Sequence, residues 1–524
     1  MKEFSADTAG YVAETLRPVA GEPEQSAGRS GALHLSARRL LTFMLMSLVF
    51  VLAVRTISDP DFWWHLRAGQ LIWETRSIPH SDVFSSTFFG REWVAHEWVS
   101  EALMYAIHRA AGYAGLVVVF ALVISAAMWV ALRGFAARAG HPYVAGFALL
   151  LGALAASPTW GVRPQMFSFL FASIFFAVLD GYARGESRSK VWWLVPLTVL
   201  WVNMHAGFAL GLTLIVLTIA GLLLDAWLSE GESREPVGGR VRTLAAVLVA
   251  CLAAVALNPN GARLYVYPFE TLTSHAMMKY INEWFSPDFH EPMFQPLALM
   301  LLATFASMCL SRERVRPSSL LLLAATAYAA LRSGRNVPFF ALASMPLLAE
   351  HTWMWLSRQA WGARLLKPEK TEGGSHLFLK VALNVFVFVF VPLALCLVKV
   401  QHVAARRAAD EAQNFPSAAV EFIRENRLPQ PIFNEYGWGG YMIWKLQPDY
   451  RVYIDGRADV YGDAFMEEFL KTHDGVAAWR APLEREGVRT VAVGPDTPLA
   501  SLLRQEKDWR NVFEDKQAVI FVRD

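Results

Sequence analysis

The sequence predicts a mainly α-helical membrane protein of about eleven transmembrane helices with a C-terminal α/β extracytoplasmic domain. Three observations predict it. Only 18% of the 524 residues are charged while 54% are hydrophobic; soluble domains carry roughly 25% charged residues, so much of this surface does not face water. The apolar residues are bunched into runs close to the ~20 that cross a hydrocarbon layer as a helix. Beyond about residue 404 the pattern changes to short β-branched runs alternating with amphipathic helices, as in an α/β layer domain. Disorder, a coiled coil and a secreted disulfide scaffold are excluded. The net charge of +2 and the lack of a basic block point away from nucleic acid. Cys251, Cys309 and Cys396 each sit inside an apolar run and read as small buried hydrophobes.

Residues 1–39 form a polar leader without a small-residue cleavage site, so the first apolar run is expected to be an anchor rather than a removed signal. Apolar runs follow at 40–57, 115–132, 143–156, 166–182, 243–257, 293–310, 318–331, 337–356 and 381–400. The longer stretch 191–228 is broken by Asn203-Met204-His205-Ala206-Gly207. Reading it as two spans puts Arg234, Arg240, Arg242, Arg312, Arg314, Arg316, Arg358, Arg364, Lys367, Lys370 and Lys380 on the same side as Met1. The opposite loops then hold only Arg263, Lys279, Arg332 and Arg335. One span would invert this bias, so the positive-inside rule selects two. The transmembrane domain therefore covers residues 40–400. It is expected in the cytoplasmic (inner) membrane, with a cytoplasmic N-terminus and two outer segments, the loop 58–114 and the domain 404–524. Within that domain, helices are expected at 416–426, 439–446 and 463–472, strands at 431–433, 451–454 and 488–493, and a closing hairpin over 512–513 and 518–522.

The first outer loop opens Asp59-Pro60-Asp61-Phe62-Trp63-Trp64-His65-Leu66-Arg67. Two acids, an imidazole and a guanidinium beside the bilayer suit a general base or a metal ligand. The competing reading is an interfacial turn with Asp helix caps and Trp63 and Trp64 in the aromatic belt. His96, Glu97 and Glu101 reach one face if helical, but the second His of a zinc-binding HExxH is Ser100. A solvated amphipathic helix on the membrane is the favoured reading there, and Pro79, His80 and Asp82 look like a turn. Asn203 and His205 interrupt apolar helices, which polar backbone tolerates only against protein or a watery cavity; a lining role and a plain hairpin turn both fit. Arg163, Arg263, Arg332 and Arg335 share the outer face, placed either to clamp a phosphate or to meet lipid headgroups. In the C-terminal domain, Asn434-Glu435-Tyr436-Gly437-Trp438-Gly439-Gly440-Tyr441 and Asp455-Gly456-Arg457-Ala458-Asp459 each follow an expected strand. They are either one ligand crevice or two rigid turns.

Together these residues resemble the GT-C superfamily of integral-membrane glycosyltransferases, which take sugars from polyprenyl-phosphate carriers. Asp59-Pro60-Asp61-Phe62 is similar to the Asp-Pro-aromatic-Phe motif opening the first outer loop of oligosaccharyltransferase catalytic subunits. Tyr436-Gly437-Trp438-Gly439-Gly440-Tyr441 resembles their tryptophan- and glycine-rich acceptor motif, without its central Asp. The family's arginine six residues after the first Asp is His65 here, with Arg67 two further on. As a whole the chain also resembles a group of bacterial multi-pass membrane proteins that carry the same segments.

The resemblance implies a glycosyltransferase acting on a polyprenyl-phosphate-linked donor, with Asp59 and Asp61 catalytic and able to hold a magnesium or manganese ion. His65, Arg67, Arg163, His205, Arg263, Arg332 and Arg335 would form the donor phosphate pocket. Asn434, Tyr436, Trp438, Asp455 and Arg457 would meet the acceptor, and membrane lipid would be a partner. The alternatives are a transporter or flippase of a lipid-linked or anionic solute, for which broken helices near substrate are common, and a non-catalytic scaffold in envelope polysaccharide assembly.

Overall fold

The computed structural model describes residues 37–186, 189–228, 237–365, 377–476 and 478–524. Most of the expected leader, together with Arg234, Lys367 and Lys370, lies outside them. The chain is mostly helical. In its first half it forms α1 (Ala37–Ala53), α2 (Asp61–Thr75), α3 (Trp98–Phe135), α4 (Pro142–Ala156), α5 (Gln165–Ala183), α6 (Leu194–Val202), α7 (Phe208–Leu228) and α8 (Val237–Val255). Then come α9 (Arg263–Thr273), α10 (His275–Tyr280), α11 (Gln295–Ser311), α12 (Pro317–Arg332), α13 (Val337–Ser357), α14 (Ala360–Leu365), α15 (Leu377–Val385) and α16 (Val391–Asn414). Among the described residues, seven helical stretches are long and apolar enough to cross a membrane: Trp98–Phe135, Pro142–Thr159, Gln165–Ala183, Phe208–Leu228, Val237–Val255, Pro292–Ser311 and Val381–Asn414. This is a multi-pass membrane protein. Helices α1, α6, α12 and α13 cover the remaining expected runs and are shorter or more polar. The stretch 191–228 is indeed two helices, α6 and α7, parted by the polar Asn203–Gly207 segment and packed on one another.

The first-loop region is a packed layer. Gly112 (φ 63°, ψ −161°) splits α3, a conformation a side chain would disfavour. The part before it lies along α2, and the part after it enters the bundle. The two helices meet closely because Gly69 of α2 has no Cβ: one there would lie 2.0 Å from the Glu101 carbonyl oxygen. The expected solvated helix is thus buried on one side, with Ser100, Glu101 and Met104 inside.

The C-terminal lobe contains α17 (Ser417–Glu425), β1 (Ile432–Asn434), α18 (Gly439–Leu446), α19 (Ala458–His473), α20 (Arg480–Arg485), β2 (Thr490–Val493), α21 (Pro498–Leu503), β3 (Trp509–Glu514) and β4 (Val519–Arg523). The sheet order is β1-β2-β4-β3. β1 runs parallel to β2, with Phe433 opposite Val491, and β4 is antiparallel to both β2 and β3. Side chains alternate across a strand. Ile432, Ala492 and Ile520 join the core rising from the bundle, while Phe433, Val491, Val493 and Phe521 join a second core under α19. Both faces are covered, so these strands read as continuous apolar runs. The expected strand at 451–454 is reduced to isolated bridges from Val452 to Ser85 and Ile432. The first loop occupies that edge: Phe84 O accepts from Val452 N at 3.1 Å, and Ser86 N donates to Val452 O at 2.8 Å. Trp63 is also part of this joint, packed edge-on against Phe415 and Tyr441 at 5.4 and 5.0 Å. It is neither a belt residue nor free to stack on a sugar.

Candidate active site

The acid turn is built by its own backbone. Pro60 starts α2, and Asp59 Oδ1 accepts the Asp61 N–H at 2.9 Å. Asp59 Oδ2 pairs with Arg163 Nε at 3.0 Å, and Arg163 also pairs with Glu283. Asp61 Oδ1 accepts from the Trp64 indole at 3.1 Å. The lobe reaches this turn through Gly456, where a Cβ would stand 1.7 Å from Asp61 Oδ1. Both acids are half-buried. Burial raises the Asp59 carboxyl above its ordinary value despite Arg163; burial and then the Asp59 charge raise Asp61 further. Burial alone would lower Arg163, but Asp59 and Glu283 outweigh it and hold the guanidinium charged.

Asp61 opens onto a cavity of about 170 Å³ whose walls come from the first loop, the bundle and the lobe. Arg163 and Gln165 line it from the start of α5, His205 from the segment before α7, Arg335 from the segment before α13, and Asp459 from the lobe. Helices α2, α3, α5, α7 and α13 thus all begin at or beside this space. Helix N-termini carry partial positive charge and unsatisfied N–H groups, so with Arg163 and Arg335 they offer an anion partners on a wall that also carries Asp61, Glu97, Glu101, Glu283 and Asp459. Arg335 stacks 4.5 Å over the Trp284 ring, and no carboxylate pairs with it among the described residues. A second cavity of about 380 Å³ shares the wall of Val94, Tyr267, Thr271, Met277, Ala458 and Asp459.

Three histidines surround one carboxylate on the cavity wall. Glu97 Oε1 lies 3.2 Å from His96 Nε2 and 3.6 Å from His205 Nε2; its Oε2 lies 3.5 Å from His65 Nδ1. His96 Nδ1 meets the Val94 carbonyl at 3.1 Å and its Nε2 faces Glu97, so both nitrogens face acceptors, which favours the protonated ring. Burial opposes that charge, but the hydrogen bond and charge of Glu97 raise the His96 pKa. Glu97 is lowered in turn: its burial is outweighed by the facing histidines. Gly207 N–H donates to His205 Nδ1 at 2.9 Å, which fixes the tautomer with the proton on Nε2. Burial keeps His65 neutral, lowered to about 3, and His205 neutral, lowered to about 4. His65 Nδ1 also meets Glu101 Oε1 at 3.2 Å.

The structure thus gathers Asp61, His65, Arg163, His205, Arg335 and the edge of Arg457 around one space and places the other expected residues around it or away from it. Arg67 points along α2 to Glu74 at 3.8 Å, because six residues place it roughly a third of a turn around the helix from Asp61. Arg263 borders the second cavity, paired with Glu270 at 2.7 Å. Arg332 is exposed and touches Met278 Sδ at 3.9 Å. In the lobe, the expected acceptor contacts are largely structural. Asn434 is fully buried: its Nδ2 donates to Ile454 O, and its Oδ1 accepts from Tyr453 N, both at 2.8 Å. Asp455 binds Arg457 through both oxygens, at 2.8 and 2.6 Å, and accepts from Tyr461. Arg457 is 1% exposed and pairs across to Asp82 at 2.8 Å, which clamps the first loop to the lobe. Tyr436 donates to Gly456 O at 3.2 Å and braces the turn against Asp61. Trp438 packs on the main core.

The cation site expected on Asp59 and Asp61 finds three of the four carboxylate oxygens engaged, by Arg163, the Asp61 N–H and Trp64. That pair does not present a ligand set. Sequence reading passed over Glu97, Glu101, Glu283, Tyr267 and Asp459 as site residues. For Glu97 and Glu101 the four-residue spacing between them, beside His96, was the available signal; Asp459 lay in the Asp455–Asp459 turn already singled out, and for Glu283 and Tyr267 there was none.

No family model and no curated protein sequence matches the chain. Solved structures do resemble it, at low identity. The archaeal oligosaccharyltransferase AglB from Archaeoglobus fulgidus, in complex with an inhibitory peptide and a dolichol-phosphate, is similar with a TM-score of 0.50 and 12% identity, over 86% of this chain and 69% of that one. The Archaeoglobus fulgidus oligosaccharyltransferase tethered with an acceptor peptide gives 0.50 and 12%, over 88% and 69%. ArnT from Cupriavidus metallidurans bound to undecaprenyl phosphate gives 0.45 and 14%, over 92% and 97%. The two oligosaccharyltransferase structures share this chain's fold over most of its length, and it is the fold of GT-C integral-membrane glycosyltransferases.

Proposed function

We propose that the protein is a glycosyltransferase that moves a sugar from a polyprenyl-phosphate carrier to an acceptor at the outer face of the cytoplasmic membrane. On this reading eleven spans put the acid turn and the lobe together on that face, with the N-terminus in the cytoplasm. One observation carries the assignment: a half-buried, elevated carboxyl group, Asp61, shares a cavity with Arg163, with Arg335, which makes no ion pair among the described residues, and with several helix N-termini. The similar AglB structure holds a dolichol-phosphate and a peptide, which supports a lipid-linked donor here.

The donor phosphate would sit against Arg163 and Arg335, with its lipid tail toward the bundle. Asp61 would take the proton of the acceptor nucleophile as that atom bonds the anomeric carbon. The bond from that carbon to the phosphate oxygen breaks, and its electron pair leaves with the phosphate, where guanidinium hydrogen bonds stabilise the developing charge. Asp59 does not face the acceptor; it positions Arg163 through their ion pair. The second cavity, bordered by Asp459 and Arg263, offers the acceptor a route past the lobe.

A transporter needs its break near the midplane. Here the Asn203–Gly207 break opens onto the same end of the bundle as the acid turn. A scaffold has no use for an elevated acid on a cavity. Mass spectrometry of lipid co-purifying with the protein tests the reading, and a glycosylated polyprenyl phosphate is the expected result. Asp61→Asn should abolish transfer and Asp59→Asn should reduce it severely, both without loss of membrane insertion. Full activity in both variants overturns the assignment.

A further inference from the structure

We propose that His65, Glu97 and Glu101 form a divalent metal site of the zinc class, one helical turn beyond the acid turn. Their donor atoms lie within 4.8 Å of one another, and all three side chains are buried on the cavity wall. A tetrahedral ion with bonds of about 2.0–2.1 Å separates its ligand atoms by about 3.3 Å. His65 Nδ1 stands 3.2 Å from Glu101 Oε1 and 3.5 Å from Glu97 Oε2, so two of the three separations lie near that spacing.

The polar accounting points the same way. Glu101 is 1% exposed, and its Oε2 has no hydrogen-bond partner, a costly state for a buried carboxylate. His96 Nε2 faces Glu97 Oε1 at 3.2 Å and makes no ion pair with Glu101 among the described residues. His205, whose tautomer Gly207 fixes, faces the same oxygen. These second partners leave Glu97 Oε2 turned toward His65 and Glu101, as outer hydrogen bonds orient metal ligands elsewhere. One imidazole and two carboxylates suit zinc better than magnesium, which prefers an all-oxygen octahedron. Three protein donors leave a fourth position open toward the cavity for water or a ligand oxygen.

The site does not depend on the transfer reaction, so metal content alone tests it. The purified full-length protein in detergent, incubated with zinc chloride and desalted, should retain about one zinc ion per chain by elemental mass spectrometry. Glu101→Gln should lower retention at least tenfold while eluting at the same volume on size exclusion; Asp59→Asn should retain the ion. Cobalt(II) added to the unsubstituted protein should give the intense visible bands of a tetrahedral site, a readout that needs no variant to fold. Absence of both zinc retention and those bands overturns the site and means that Glu101 holds a proton instead. Loss of zinc in Asp59→Asn with retention in Glu101→Gln also overturns it, because the ion would then sit on the acid turn. Either result leaves the glycosyltransferase reading to be judged on its own lipid analysis.

Discussion

Arg457→Met is the sharpest test of how the lobe is attached. The guanidinium is 1% exposed, binds Asp455 through two contacts and reaches Asp82 at 2.8 Å, and both acids are fully buried. Methionine is close in length but carries no charge, so the variant leaves two carboxylates in a low-dielectric joint with no cation. Breaking a buried ion pair from one side costs about 3–5 kcal/mol, far above the 0–1 kcal/mol typical of an exposed pair. With a urea dependence of roughly 2 kcal/mol per molar for a small domain, the midpoint for the lobe should fall by about 2 M. Pulse proteolysis across a urea series, reading the loss of lobe fragments on a gel, measures that midpoint without unfolding the bundle. The combined variant Asp82→Asn, Asp455→Asn, Arg457→Met should recover much of the loss, since the orphaned charges are gone. A shift below about 0.5 M for Arg457→Met would refute the clamp and return Arg457 to the list of acceptor contacts.

Gly456→Ala places a Cβ 1.7 Å from Asp61 Oδ1 and 3.4 Å from the Trp64 indole nitrogen; overpacking of this kind costs about 1–3 kcal/mol. Transfer should drop at least tenfold with membrane insertion unchanged, and undiminished transfer would contradict the contact. Removing Arg335 (Arg335→Ala) should weaken binding of undecaprenyl phosphate by about ten- to a hundredfold, the range of a lost charge-assisted hydrogen bond; microscale titration of the purified protein reads it. Asp61 is elevated by burial and by Asp59, so as a base it should give the pH profile of kcat/KM an acid limb well above an ordinary carboxylate value. A limb near 4 argues against Asp61 as the base. His473 is disfavoured as a cation by burial, yet its bond to Glu435 at 3.0 Å raises it to about 9. A raised histidine stabilises the fold fully below its ordinary 6.5 and loses that contribution as pH rises through about 9. The lobe's urea midpoint should therefore fall across that window in the parent protein and stay flatter in His473→Gln.

The sequence was most informative where one physical rule dominates. Run length and hydropathy found the helices, and the charge bias of the loops split 191–228 into α6 and α7 at the right place. Helix α18 fell on its expected residues, 439–446, because Gly439 and Gly440 mark a start that a buried apolar run continues. Tertiary partners decided the failures. The 451–454 run has the composition of a strand, but its edge is taken by residues 84 and 86 of the first loop, which no local pattern announces. His96, Glu97 and Glu101 read as a wet helix because their burial comes from the loop at Asn203 and from α9. Asp455 and Arg457 look like a ligand-binding pair until Asp82 arrives from far along the chain to pair with Arg457. The acid turn itself was legible, since proline, two acids and aromatics at a membrane edge have few stable uses.

The hydrogen bond from Ser86 to Val452 closes a gap of 366 positions. During synthesis, the turn carrying Asp59 and Asp61 therefore leaves the ribosome long before the strands that wall it in, and it waits through the insertion of nearly every helix with Trp63 uncovered. A nascent chain in that interval has an acidic loop without a chamber, and the chamber closes only when the lobe docks.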